Sequence, residues 1–209
     1  MFRPINPDRS FSGVSLAESF AECYAKKYGV EVGLICCADG GTTLDQWAEG
    51  EILFDNAVAQ AKLAQRTSEI VGILWHQGEG DCAPDKYVTY ESRFNKFMTA
   101  MREALGLQDV PFLIGGLGDF LAECTLSDKL VNYHHVNDAL RSSAENNPMT
   151  GFVSAEGLGS NPDLLHFSSE ALYEFGKRYF EEFEKFGVDI SKLNKVENTD
   201  AIRSEMEKL

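Results

Sequence analysis

The segment at residues 70–81 (IVGILWHQGEGD) constrains the fold more than any other stretch of the chain. It begins as an aliphatic, β-branched run and ends abruptly in His76, Gln77, Glu79 and Asp81, with glycines between them. A continuous apolar run of this kind is typical of a parallel strand buried on both faces. Open α/β sheets bind their ligands beyond the carboxyl ends of such strands, so the polar cluster is a candidate site. A buried strand followed by an ordinary polar turn fits the pattern equally well.

The rest of the chain alternates strand-like segments with amphipathic helices. Strands are predicted at residues 30–37, 70–75, 111–116 and 151–155, and helices at residues 14–29, 54–66, 86–105, 128–146 and 168–186. This alternation predicts an α/β fold with a mostly parallel sheet and helices on both of its faces. No linker rich in Pro, Gly or Ser divides the chain. We therefore expect one domain over residues 1–187, followed by a charged tail or helix at residues 188–209.

Charge and composition exclude several classes of partner. The formal net charge is −14, whereas nucleic acids and anionic membranes select clusters of Lys and Arg. No apolar run reaches the length of a membrane span, and the first residues lack the apolar core of a signal peptide, so a cytoplasmic protein is expected. The five cysteines are an odd number without metal-ligand spacing, which favours reduced thiols and predicts no metal site.

A second candidate motif lies just before the last helix, in the segment NPDLLHFS. Asp163 and His166 stand three residues apart there. A carboxylate at this spacing can fix the imidazole tautomer while the other ring nitrogen acts as a general base, as in the activation of a serine. Taken alone, the pattern favours a simpler interpretation, a capping aspartate beside a surface histidine.

Two glycine-rich loops follow other predicted strands. The backbone N–H groups of Gly40 or Gly41 in the loop DGGTT could stabilise a developing oxyanion, and the side-chain amide of Gln77 could add another donor. A tight turn that requires glycine is an equally good explanation of this loop. The loop at residues 115–119 (GGLGD) lacks the Lys-Ser/Thr of a phosphate-binding loop and does not match the Rossmann pattern.

Four blocks in this order, GLICCADGGTTLDQW, GILWHQGEGD, FLIGGLGDF and NPDLLHFSSEALYEFGKRYFEEF, resemble the SGNH-hydrolase carbohydrate acetylesterases. The similarity is greatest to the sialate O-acetylesterase-like, acetylxylan-esterase-related carbohydrate esterase family six. The resemblance implies a flavodoxin-like three-layer α/β/α sandwich. It also implies Ser-His-Asp type hydrolysis of the O-acetyl groups of a small acetylated carbohydrate or xylan, without a cofactor.

The resemblance assigns roles to five residues of this sequence. His166 matches the general base and Asp163 the carboxylate that orients it. Gly41 matches a backbone oxyanion donor, and Gln77 matches a side-chain oxyanion donor. Glu79 is expected to brace the neighbouring loops by accepting hydrogen bonds from their backbone.

One block of the family pattern is absent from this sequence. Family members carry a strand that ends in GQSN, whose serine is the nucleophile, and this sequence contains no GQSN. Without that strand, residues 30–37 and 69–75 should either leave a gap or pair directly, and a homo-oligomer is expected to cover the exposed apolar surface. Ser15 is a weak substitute for the nucleophile and Ser12 a weaker one, since Ser15 better suits a helix cap. The alternative function is that of a non-catalytic carbohydrate-binding remnant.

Overall fold

The structure, a computed structural model, describes residues 13–187. In this range the chain forms helices and strands in the order α1 (Leu16–Tyr28), α2 (Ile52–Ala64), β1 (Ile73–Trp75), α3 (Pro84–Tyr87), α4 (Tyr90–Leu105), β2 (Phe112–Gly115), α5 (Tyr133–Asn146), β3 (Thr150–Val153) and α6 (Ser169–Glu184). Short 3₁₀ turns lie between several of them. Ser12 and the charged tail predicted at residues 188–209 lie outside the described residues.

The three strands form one parallel sheet in the order β1-β2-β3. Ile73 is paired with Phe112, and Leu113 is paired with Gly151. Each connection between neighbouring strands contains a helix, as parallel pairing requires. The predicted α/β fold with a parallel sheet is therefore confirmed.

Alternate residues of β2 point into two different cores. Phe112 and Ile114 belong to a cluster with apolar residues of α2, α4 and α5, whereas Leu113 belongs to a second cluster formed largely by α1 and α6. This alternation follows from the two-residue period of a strand. The sheet thus lies between two helical layers, and its middle strand is buried on both faces.

Helices α1 and α6 pack closely enough that a side chain would not fit between them at one point. A Cβ atom added at Gly176 would lie 2.0 Å from the carbonyl oxygen of Leu16. Nearby, the buried hydroxyl of Ser19 donates a hydrogen bond to the Tyr173 carbonyl at 2.6 Å. The hydroxyl of Ser168 caps α6, as predicted, by accepting from the Ala171 N–H at 3.2 Å. This packing fixes the start of α6, three residues after His166.

The prediction of a strand at residues 30–37 is wrong, because these residues form no β-ladder. An extended segment becomes a strand only when a neighbour takes its backbone hydrogen bonds. Among the described residues, β1 pairs with β2 alone. The structure therefore has a gap between residues 30–37 and β1, the first of the two expected arrangements, and these two segments do not pair directly. Ile73 and Leu74 are accordingly only half-buried, and a homo-oligomer that covers this edge of the sheet stays a prediction.

The helix predicted at residues 86–105 is divided into α3 and α4, which are separated by Val88 and Thr89. A 3₁₀ turn at Leu130–Asn132 precedes α5 where a continuous helix was predicted. Within residues 13–187, no helix combines the length and the apolar character needed to cross a bilayer.

Candidate functional site

The loop after β1 is tightly enclosed at its first glycine. A Cβ atom at Gly78 would lie 2.7 Å from Cγ1 of Val136, so any larger residue would have to displace α5. The chain then forms a 3₁₀ turn at Glu79–Asp81. This conformation turns the side chain of Asp81 back into the protein, where it is fully buried.

Asp81 is the centre of the hydrogen-bond network at this end of the sheet. Its Oδ2 accepts from the backbone N–H of Leu44 at 2.7 Å and from the Gln77 side chain at 2.9 Å. Its Oδ1 accepts from Nη2 of Arg93 at 3.0 Å. A fully buried carboxylate is tolerated when it is paired and hydrogen-bonded in this way. Sequence reasoning missed this role, because nothing in the motif distinguishes Asp81 from Glu79 as the bracing carboxylate.

Both the nitrogen and the oxygen of the Gln77 side-chain amide are hydrogen-bonded to protein groups. Its Nε2 donates to the Thr42 carbonyl at 3.0 Å and to Asp81, and its Oε1 lies 3.0 Å from the hydroxyl of Tyr90. Burial raises the pKa of Tyr90 well above its usual value, so the tyrosine hydroxyl keeps its proton. Both amide protons of Gln77 are therefore used inside the protein. Its role as an oxyanion donor stays a prediction, and one of these bonds would have to open for it.

Glu79 and His76 form a second group on the same loop. Glu79 accepts a hydrogen bond from the Gly78 N–H at 3.1 Å, a contact within its own loop, so the bracing of neighbouring loops by Glu79 stays a prediction. Its other oxygen lies 3.6 Å from Nε2 of His76. The His76 ring packs against Phe167 and Phe175, with centroid distances of 5.4 and 5.6 Å. Nδ1 of His76 is buried without a hydrogen-bond partner.

The loop at residues 39–43 meets the β1 loop through Thr42. Gly41 is exposed and has a φ of +75°, a left-handed conformation that favours glycine. The next residue, Thr42, is buried, and its hydroxyl accepts a hydrogen bond from Nε1 of Trp47 at 3.0 Å. Since the Thr42 carbonyl binds Gln77, the structure places the two predicted oxyanion residues on adjoining loops.

Asp163 and His166 form a hydrogen-bonded pair. Nδ1 of His166 lies 2.8 Å from Oδ2 of Asp163, and Oδ1 accepts from the backbone N–H groups of Leu165 and His166, each at 3.0 Å. These bonds lower the pKa of Asp163 to about 2, with the imidazole contact as the largest cause. A charged carboxylate at Nδ1 favours the tautomer in which Nδ1 carries the proton. The opposite nitrogen, Nε2, is then left as a base, and 70% of the imidazole surface is exposed.

Aromatic packing joins this pair to the other strand-end loops. Phe167, directly after His166, packs on His76. It also packs on Phe120 in the loop after β2, and the ring centroids of Phe120 and Phe167 are 4.9 Å apart. The thiol of Cys124 approaches the carbonyl of Asp163 at 3.6 Å. The loops after β1, β2 and β3 thus converge around Phe167, the residue after His166. Among residues 13–187, however, His166 makes no hydrogen bond to Gln77 or Gly41.

Neither Ser15 nor Cys82 has the surroundings of an activated nucleophile. Ser15 is the N-cap of α1, and its hydroxyl accepts from the Ala17 N–H at 3.2 Å. Cys82 is fully buried, and burial is the main cause that raises the pKa of its thiol to about 12. A thiol that stays protonated is a poor nucleophile. In the described part of the chain, no group of three or more His, Cys, Asp or Glu side chains could hold a metal ion.

We expect Ser15→Ala to lower the free energy of unfolding by about 1 kcal/mol, the usual cost of losing a helix cap. Urea denaturation measures this change. If Ser15 only caps α1, the variant should retain any esterase activity of the parent protein. A complete loss of activity in a folded Ser15→Ala protein would instead identify Ser15 as the nucleophile.

Comparison with known proteins gives consistent matches. The family model described as carbohydrate esterase, sialic acid-specific acetylesterase, matches residues 3–185. A curated relative from Arabidopsis thaliana, named probable carbohydrate esterase, is 26% identical over 175 residues. The match covers 78% of this chain and 61% of the relative, so the chain spans about three fifths of the length of that protein.

Solved structures show the same fold. The X-ray structure of the Arabidopsis thaliana protein superposes with a TM-score of 0.75 at 23% identity, covering 85% of this chain and 71% of that one. A structure described as a novel carbohydrate acetylesterase from Xanthomonas citri gives a TM-score of 0.64 at 19% identity, covering 84% of this chain and 41% of that one. At these identities the likeness establishes the fold.

Proposed function

Because this chain belongs to the carbohydrate esterase family of sialic acid-specific acetylesterases, we propose that it hydrolyses O-acetyl esters of carbohydrates, with His166 as the general base. The observation that carries this proposal is the 2.8 Å contact between Nδ1 of His166 and Oδ2 of Asp163. In the tautomer that this contact favours, Nε2 is the basic nitrogen of an exposed ring, one residue from Phe167, where three strand-end loops meet. We further propose acetylated small sugars or acetylxylan as the substrates.

The proposed reaction is an acyl transfer in two halves. Nε2 of His166 takes the proton of a hydroxyl nucleophile, whose oxygen attacks the acetyl carbonyl and forms a tetrahedral oxyanion. The intermediate collapses, and His166 returns the proton to the departing sugar oxygen. Water then releases acetate from the acylated nucleophile by the same route. Asp163 stabilises the imidazolium that forms in both halves.

The hydroxyl that His166 activates is unassigned in this chain. The sequence contains no GQSN, and Ser15 caps α1. Backbone N–H groups near Gly41 are the proposed oxyanion donors, with Gln77 joining them if its bond to Thr42 opens. Asp81 supports the site indirectly, because it holds the Gln77 loop against Leu44.

A second candidate function is carbohydrate binding without catalysis. It is favoured by the internal hydrogen bonds that occupy both amide protons of Gln77. This function predicts sugar binding in calorimetry with no release of acetate. Labelling of one unique serine by a serine-directed phosphonate would rule it out.

Acetate release by the purified full chain tests the proposal. With acetylxylan and 4-nitrophenyl acetate as substrates, we expect His166→Ala to lower the rate by about 10³-fold, within the range for loss of a general base. His134→Ala is the matched control in the 4-nitrophenyl acetate assay, since His134 is another exposed histidine and any surface imidazole can hydrolyse aryl acetates slowly. Equal rates for the parent protein and His166→Ala would refute the proposed role of His166.

A further inference from the structure

His76 takes no part in the proposed chemistry, although it lies among the strand-end loops, directly after β1. The carbonyl of the preceding residue, Trp75, accepts a hydrogen bond from the buried hydroxyl of Tyr179 on α6 at 2.7 Å. Burial raises the pKa of Tyr179 well above its usual value, so this hydroxyl keeps its proton and remains a donor. The backbone that carries His76 is thus held by both the sheet and α6.

Two phenylalanine rings hold the imidazole of His76 in place. It meets Phe167 at an angle of 67° between the ring planes and Phe175 at 82°, so both contacts are edge to face. Phe167 and Phe175 also pack on each other, with their centroids 5.3 Å apart. Three rings in mutual contact leave each of them little freedom to move. His76 therefore supplies one of the surfaces on which Phe167 packs.

The packing of Phe167 bears on the general base, because Phe167 is the residue after His166. Phe167 is buried, whereas most of the His166 imidazole is exposed. Among residues 13–187, the His166 side chain is hydrogen-bonded to Asp163 alone, and Asp163 belongs to the same turn. This bond fixes the imidazole within its turn but not relative to the loop after β1. Phe167 supplies that second relation, through its contact with His76.

The edge of the His76 ring faces the loop that carries Gln77. Nε2 of His76 lies 3.6 Å from one oxygen of Glu79, whose other oxygen accepts from the Gly78 N–H. Nδ1 is buried without a hydrogen-bond partner. A proton on Nε2 rather than Nδ1 therefore leaves no buried donor unpaired. His76 thus contacts the His166 turn through its ring and the Gln77 loop through its polar edge.

We propose that His76 is a positioning residue for the general base, a proposal that rests on the proposed esterase function. By packing on Phe167, His76 holds the turn that contains His166 in a fixed place relative to the Gln77 loop. The base and the oxyanion donors act on the same acetyl group, so their relative position must be kept to within about 0.5 Å. His76 itself reaches no reacting atom and acts through Phe167.

Steady-state kinetics of the purified full chain with 4-nitrophenyl acetate test this role. We expect His76→Ala to lower kcat by about 10²-fold with little change in KM, since misplacing a catalytic group by about 1 Å has this cost. His76→Gln should behave like His76→Ala, because it keeps a polar group but loses the ring. His76→Phe should recover most of kcat, because it keeps both ring contacts.

Phe180→Leu is the control for a general loss of packing. Phe180 is buried in the same core as Phe167, but its ring packs on Phe20 and Phe183. Its replacement by leucine weakens that core without touching the contact between His76 and Phe167. We therefore expect Phe180→Leu to keep the parent kcat at temperatures well below its unfolding midpoint.

Hydrogen exchange followed by NMR tests the same role without requiring turnover. Phe167 forms an isolated antiparallel bridge with Ser160, and beside it the Asn161 N–H donates to the carbonyl of His166 at 2.7 Å. If His76 holds Phe167 in place, the bridge should open more often when the imidazole is removed. We expect the Asn161 N–H to exchange faster in His76→Ala than in the parent protein, and at the parent rate in His76→Phe.

Four results would overturn the positioning role. They are a parent kcat in His76→Ala or His76→Gln, equal losses of kcat in His76→Ala and Phe180→Leu, a kcat for His76→Phe as low as that of His76→Ala, or unchanged exchange of the Asn161 N–H in His76→Ala. Faster exchange in His76→Ala, with no acetate release by the parent, would show that His76 holds the turn and would refute the hydrolysis. Acetate release that His76→Ala leaves unchanged would refute the positioning role and support the hydrolysis.

Discussion

Replacing Asp163 with asparagine is expected to lower the rate of acetate release by about 10⁴-fold and leave the fold intact, as in other triads where this carboxylate becomes an amide. Asparagine can keep the contacts from Oδ1 to the N–H groups of Leu165 and His166. Its amide would however donate to Nδ1 of His166, where the carboxylate accepts. The imidazole proton would then move to Nε2, and the base would be lost.

The measurement is the rate with 4-nitrophenyl acetate, together with thermal unfolding of each protein. Asp109→Asn is the matched control, because Asp109 is an exposed carboxylate in the turn before β2. A folded Asp163→Asn protein that keeps the parent rate would show that the pair is structural. In that case the contact with Asp163 would no longer support His166 as the general base.

The pH dependence of the parent protein follows from the same contacts. The pKa of Asp163 falls from 3.8 to about 2 on folding, so its charge favours the folded state above pH 3.8, and this contribution is lost as the pH falls through about 2. The contribution is small, since 38% of the side chain is exposed. Asp163 thus stays ionised through mild acid. Any loss of activity there must come from another group.

Local sequence patterns were sufficient to predict most of the fold and one part of the site. The helices α1 and α6 follow from apolar spacing and caps, which are properties of neighbouring residues. The contact between Asp163 and His166 could be predicted for the same reason, because the two residues are three apart. Such features depend little on the rest of the chain.

Features that depend on distant partners could not be predicted in this way. Residues 30–37 have the composition of a strand, but their conformation depends on a neighbouring strand that no local pattern supplies. The packing of His76 on Phe167 joins residues 91 positions apart, and only the fold brings them together. The central role of Asp81 likewise rests on Leu44, which lies 37 positions away.

Removing the Asp81 side chain should cost about 3 kcal/mol of folding free energy, the lower end of the range for breaking a buried ion pair. Asp81→Ala leaves the Leu44 N–H and one Gln77 proton without their acceptor, in a place that water does not reach. The guanidinium of Arg93 is less affected, because it is 23% exposed and keeps its 2.8 Å bond to Asp45. Urea denaturation of the parent and Asp81→Ala proteins measures the loss.

Asp45→Ala provides a matched control, since Asp45 and Asp81 bind the same guanidinium of Arg93. The side chain of Asp45 is 59% exposed, and exposed pairs contribute about 0.2–1 kcal/mol. If Asp81 stabilised the protein only through Arg93, the two variants would lose similar amounts. A clearly larger loss in Asp81→Ala would assign the difference to Leu44 and Gln77. Because those bonds hold the Gln77 loop against the loop that carries Gly41, Asp81→Ala should also impair whatever acyl chemistry depends on these loops.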